Sequence, residues 1–186
     1  MSPSPSAVDP DTPRYVPDRA LPAYRHALGQ TPHPRTHPRG HSFGLPEVTA
    51  TAPLAADAWQ SNEMYLFGVD LYNFAYWWEA HEQWEALWRC EPDRGTDTAS
   101  FLQGLIQLSA AMLQWQAGNW RGFSRLLGKG AGRLKRVVSR LEGGGYLGVD
   151  PLQITHHYQV LLEDRSGAKK AGAPVLLLSG THGPRH

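Results

Sequence analysis

The 186-residue sequence holds one cysteine, Cys90, so no disulfide can close within the chain. That usage fits a reducing compartment, and the expected location is cytoplasmic. No run of residues approaches the roughly 18 consecutive apolar positions that a membrane span requires, and no apolar segment of secretory type stands near the first residue. A membrane partner is therefore not expected. A dominant charge is missing as well: 18 Lys and Arg against 17 Asp and Glu leave a net of +1. This removes a whole-protein field as a reason to bind nucleic acid or an anionic surface, although a local patch can still do so. Proline is nearly absent beyond residue 57, because eleven of the fifteen prolines lie before it.

Those prolines define the first of three regions. Residues 1–57 offer long spans without an apolar face, such as Met1–Pro13 and Gln30–Pro46, and read as an extended or disordered arm. Within it, the stretch Arg14–Tyr24 has enough aromatic and aliphatic surface to lie along a groove of a folded domain. His33, His37 and His41 recur every four residues, a spacing that would align three imidazoles on a helix. Pro32, Pro34, Pro38 and Gly40 forbid that helix, since proline removes a backbone donor and pushes its predecessor out of the α region. The histidines are then expected in proline turns, solvated or against the domain surface, rather than as a metal set.

From residue 58 the apolar positions recur with a period near 3.6, and no strand pattern competes. The spacing predicts helices over about 60–74, 76–90, 98–117, 120–141 and 151–163, with Asp57 or Ser61 capping the first and Asp97 or Thr98 the third. Gly118-Asn119 separates the third from the fourth, and Asp150-Pro151 supplies a cap and first-turn proline for the fifth. The third helix is apolar on most of its circumference and is expected at the centre. Its Gly104, Ser109, Ala110 and Ala111 allow a neighbour to approach closely, and Gln103, Gln107 and Gln114 form a polar seam along it. The fold class is all-α: a five-helix bundle of antiparallel helical hairpins over 58–164, with the extended N-terminal arm before it. Residues 165–186 read as a flexible tail whose one apolar segment is Val175–Leu178.

Chemistry concentrates in residues 73–89, where four of the seven tryptophans meet three glutamates and a histidine. A turn of 100° per residue puts Trp77, Ala80, His81, Trp84 and Trp88 on one arc with Glu85 at its edge. It turns Glu79 and Gln83 toward solvent. His81 and Glu85, four apart, can touch, and Glu82 flanks them. His81-Glu82-x-x-Glu85 differs from the zinc-protease pattern H-E-x-x-H in its last residue, and a histidine with a glutamate at this spacing can present nitrogen and oxygen to one divalent metal. The di-iron bundle rule fails, because Trp78 stands where a glutamate three before the histidine is needed. Three uses are open: a polar site of His81, Glu82, Glu85 and Gln103, with Glu79 and Gln107 beside it, for an unknown small molecule, metal or protein partner; metal-dependent or acid–base hydrolysis by His81, Glu82 and Glu85; and a buried structural network.

The runs Glu79-Ala80-His81-Glu82-Gln83-Trp84-Glu85-Ala86-Leu87-Trp88 and Phe101-Leu102-Gln103-Gly104-Leu105-Ile106-Gln107-Leu108, followed by Gly118-Asn119, resemble the domain of unknown function 309 family over roughly residues 60–165. The resemblance implies a small all-helical domain with paired helices somewhat like tetratricopeptide hairpins, and no assigned activity. It places shared polar positions on Glu79, His81, Glu82, Glu85 and Gln103, in tension with a wheel that sends Glu79 outward. The glycine-rich fourth helix and the arm depart from the family.

The fourth helix carries Arg121, Arg125, Lys129, Arg133, Lys135, Arg136 and Arg140 with no acid between Asn119 and Leu141. Arg121, Arg125 and Arg133 are the candidate anion-binding residues, since spacing in fours stacks like charges that an anion would relieve. Nucleic acid is disfavoured as the partner, because no aromatics interleave with the stripe to stack bases.

Overall fold

A computed structural model describes residues 11–141, 145–163 and 175–180. A single 3-10 turn, Trp59–Ser61, precedes α1 (Glu63–Asn73), α2 (Trp77–Cys90), α3 (Asp97–Gln116), α4 (Trp120–Val138) and α5 (Pro151–Glu163). Among the described residues there is no strand, and one isolated bridge joins Tyr146 to Val149. The all-α class is thus as the periodicity indicates. No helix of the described residues is long and apolar enough to cross a membrane.

Four of the five helices begin where a short polar side chain can accept an otherwise unused backbone N–H, while α2 follows Tyr76 without a side-chain cap. Asn62 accepts from Tyr65, Thr96 from Ala99, Asn119 from Gly122, and Asp150 from Leu152. The first two caps differ from the expected residues. Ser61 instead donates to the Ala58 carbonyl within the 3-10 turn, which delays α1 by one turn. Thr96 takes the cap of α3, so that Asp97 sits in its first turn, where a carboxylate favours the helix dipole.

α3 is the central element, packed against α2 on one side and α4 on the other. Phe101, Leu102, Leu105, Ala111 and Met112 are fully buried there. The α3–α4 approach depends on two missing side chains: a Cβ on Gly104 would meet Leu134 at 2.8 Å, and one on Gly130 would meet the Gly104 carbonyl oxygen at 3.0 Å. α1 and α2 meet in the same way, Gly68 leaving room for the buried Trp84 indole. The Tyr72 and Tyr158 hydroxyls hydrogen-bond in the core between α1 and α5.

The described chain before α1, residues 11–62, has no regular structure beyond turns, yet it is tied across α1 and α2 by side chains from them. Asp70, fully buried in α1, accepts from the Arg14 guanidinium at 3.0 Å and from the backbone N–H groups of Tyr15 and Val16 at 2.7 and 2.9 Å. Further along, Cys90 donates to the Ala50 carbonyl and Glu91 accepts from Leu54 N–H. Turns within the proline-rich segment satisfy part of its backbone, and these side chains satisfy further groups that the turns leave over. The same holds for 175–178. The Asn73 amide bonds both the N–H and the carbonyl of Leu176, Leu178 N–H donates to the Tyr15 hydroxyl, and Leu176 and Leu178 are buried while Val175 and Leu177 are exposed.

Candidate functional site

α2 presents three distinct faces. Trp77, Ala80, Trp84 and Leu87 are buried against α1 and α3. A second face carries Glu79 and Gln83, each 5% exposed. The wheel turned these two to solvent, and the structure corrects it: the arm, not water, lies over that face. His41 of the arm reaches down to Glu79, its Nε2 at 2.7 Å from Oε1. Burial raises the Glu79 carboxyl above its usual range, and the His41 hydrogen bond opposes part of that rise. Glu85, at the edge of the packing arc, has a side chain 28% exposed and pairs with Arg89 at 3.1 Å.

The third face holds the metal-ligating group. His81 Nδ1 lies 3.3 Å from the Ile106 carbonyl oxygen. A carbonyl can only accept, so Nδ1 is the nitrogen that donates there, and Nε2 is the one left toward Glu85, 3.6 Å from Oε2. Backbone anchoring of the far nitrogen is how metal-ligating histidines are commonly fixed in tautomer and angle. One ligand atom each from His81, Glu82 and Glu85 lies within 4.8 Å of the other two, and all three residues are half-buried. Around one ion with bonds of about 2.1 Å, tetrahedral ligand atoms stand roughly 3.4 Å apart, so small rotamer adjustments would close the set. Burial also raises the Glu82 carboxyl, with His81 lowering it and the neighbouring Glu85 charge adding to the rise.

Glu82 belongs to a second feature as well. A cleft of about 320 Å³ opens between the arm and α2, lined by Trp78, Glu79, Glu82 and Gln83 from the helix and by Arg35 and His41 from the arm. Trp78 is surrounded by imidazoles: the ring centroids of His33, His26 and His41 lie 5.3, 6.0 and 6.4 Å from it. The periodic set of the sequence is therefore not the spatial one. His37 accepts from Arg39 N–H in its own turn, while His26 takes the third place. No sequence signal marks His26 or Arg35, and the four-residue recurrence that includes His41 does not indicate its contact with Glu79, because spacing in an arm that is not helical has no directional meaning.

Gln103 and Gln107 flank Ile106 on α3, but neither is hydrogen-bonded to the cluster. Among the described residues, half-buried Gln103 makes no side-chain hydrogen bond, and the buried Gln107 Oε1 has no partner. Gln114 accepts from Asn119 at the end of the helix. On α4, Arg121 and Arg125 are exposed and Arg133 is half-buried. Arg140, past the end of α4, pairs with Asp97 at 2.9 Å, and the six cations on α4 make no ion pair among the described residues.

Residues 65–126, a third of the chain, match the model of a family described as Domain of unknown function (DUF309). The match spans α1, α2, α3 and the start of α4, and so includes His81, Glu82, Glu85 and Gln103. The chain resembles that family there, and the family description carries no activity. No curated protein matches the chain.

Proposed function

We propose that the protein is a binding module that holds a divalent cation on His81, Glu82 and Glu85 beside the cleft under its arm. The observation that carries this is the anchoring of His81: with Nδ1 committed to the Ile106 carbonyl, Nε2 is the nitrogen left facing Glu85, and Glu82 brings a carboxylate oxygen into the same cluster. A nitrogen and two oxygens suit zinc, manganese or iron better than calcium, which takes oxygen ligands in larger number. Binding is favoured over hydrolysis by counting. The motif supplies three ligands and no base, or two ligands and a base, whereas an open catalytic site needs three ligands and a base as well.

The test is calorimetric titration of metal-stripped full-length protein with Zn²⁺ and Mn²⁺, beside cobalt(II) absorption spectra. His81→Ala, Glu82→Gln and Glu85→Gln should each weaken binding at least tenfold. Undiminished binding by the His81 variant would exclude the site.

A second reading rests on α4, whose six unpaired cations share a helix with Gly128 and Gly132, neither with any atom near its missing side chain. Such a face suits the phosphates of RNA. Fluorescence anisotropy with a 20-nucleotide labelled RNA should show affinity that falls steeply with salt, by a log–log slope of about −0.7 per phosphate contact. Combined reversal of Arg121, Arg125 and Arg133 to Glu should abolish it. Salt-independent binding, or binding that survives the reversal, removes this reading.

A further inference from the structure

The cleft between the arm and α2 has a particular imbalance of hydrogen-bonding groups. Its arginines are already engaged. Arg35 donates to the Pro46 and Leu45 carbonyls and lies 3.9 Å from Glu47, and Arg19 sits over the Phe67 ring at 4.0 Å and 3.6 Å from Glu63. Its acceptors are not. Glu79 Oε2 and Gln83 Oε1, on side chains 95% buried, have no donor, and the half-buried Glu82 carboxylate forms no hydrogen bond or ion pair among the described residues. These three residues stand at i, i+3 and i+4 of α2, so one helix face gathers them. Trp78, the residue before Glu79, adds an aromatic wall to the same cleft.

Each buried acceptor left without a donor costs about 1–3 kcal/mol. With Arg19 and Arg35 engaged elsewhere, the unmet carboxyl of Glu82 beside these acceptors favours a positive donor over an anion. An indole within reach adds the attraction of an aromatic face for an organic cation. We propose that this cleft takes a small organic ammonium or amidinium ion, its N–H groups donating to Glu82 and, once their buried oxygens turn into the cleft, to Glu79 and Gln83, with its hydrocarbon part lying against Trp78. At about 320 Å³ the cleft has room for a molecule the size of benzylamine or agmatine. The inference goes beyond the divalent-cation site and does not depend on it, since the two sets of residues share Glu82 alone.

The experiment is titration calorimetry of the full-length chain in excess EDTA, with benzylamine and agmatine as probes and with benzyl alcohol and benzoate as their neutral and anionic counterparts. Both amines should bind saturably, and the alcohol and the benzoate should bind at least tenfold more weakly. Glu82→Gln and Gln83→Leu, each checked for retained helical circular dichroism, should weaken the amines at least tenfold. Leucine at 83 removes the acceptor in a similar volume, so the question survives if one variant misfolds. Equal binding of amine and alcohol, no amine binding at millimolar concentration, or indifference to both substitutions overturns the proposal. Amine binding in EDTA alongside a failed metal titration would remove the divalent-cation site and leave this one standing.

Discussion

Four glycines offer a direct measure of how closely α3 and α4 approach. All four lie inside helices, where alanine is intrinsically better by roughly 1 kcal/mol. Gly128 and Gly132 have open space where a Cβ would sit, so alanine at either should stabilise the protein by about 0.5–1 kcal/mol. At Gly130 the same methyl would come within 3.0 Å of the Gly104 carbonyl oxygen and 2.9 Å of the Leu108 side chain. A backbone oxygen cannot swing aside, so the helices must separate, and overpacking of this kind costs about 1–3 kcal/mol. Gly104→Ala meets the fully buried Leu134 side chain at 2.8 Å and the Gly130 carbonyl oxygen at 3.4 Å. Its cost should be smaller, because a leucine can change rotamer. The expected order is Gly132→Ala and Gly128→Ala above wild type, Gly104→Ala below it, and Gly130→Ala lowest. For a chain of this size 1 kcal/mol corresponds to about 2–4 °C in Tm, so urea denaturation and thermal melts both resolve the series. Gly130→Ala as stable as Gly128→Ala would refute the close crossing and the account of α3 as the central helix.

Two further predictions concern the arm. Asp70→Ala should destabilise the protein by about 3 kcal/mol, since it leaves the Arg14 guanidinium and two backbone N–H groups without their acceptor. Limited proteolysis should then cut residues 14–25 faster than in wild type, and unchanged protection would show that the arm is held elsewhere. His26 is buried, and burial together with the neighbouring His33 holds its imidazole below the ordinary histidine range. The unfolded chain therefore takes up this proton first as pH falls. The stability that neutral His26 contributes is present above about pH 6.5 and is lost as pH drops through the lowered folded value. Urea midpoints measured from pH 7.5 to 5 should fall more steeply for wild type than for His26→Leu, and parallel profiles would rule out His26 as the source.

The helices and their order were legible because burial on one side of a helix leaves a 3.6-residue trace in the chain. Trp77, Ala80 and Trp84 form such a trace, and all three are fully buried. His81 and Glu85 were legible for the same reason, since four residues make about one turn and no distant contact is needed to bring them together. Caps were less so, as Asn62 against Ser61 shows, because adjacent residues offer chemically equivalent oxygens and the fold chooses between them.

The sequence by itself determined the all-α class, the central place of α3 and the local triad of His81, Glu82 and Glu85, all of which follow from helical periodicity. Tertiary structure alone decided that Glu79 and Gln83 are buried, that His26, His33 and His41 surround Trp78, and that Asn73 grips Leu176 more than 100 residues away. A helical wheel knows one axis, and a face that looks solvent-directed along that axis is buried when another part of the chain lies across it. The arm has no period of its own with which to announce that it will do so. Its course is set by the side chains of α1 and α2 that satisfy its backbone.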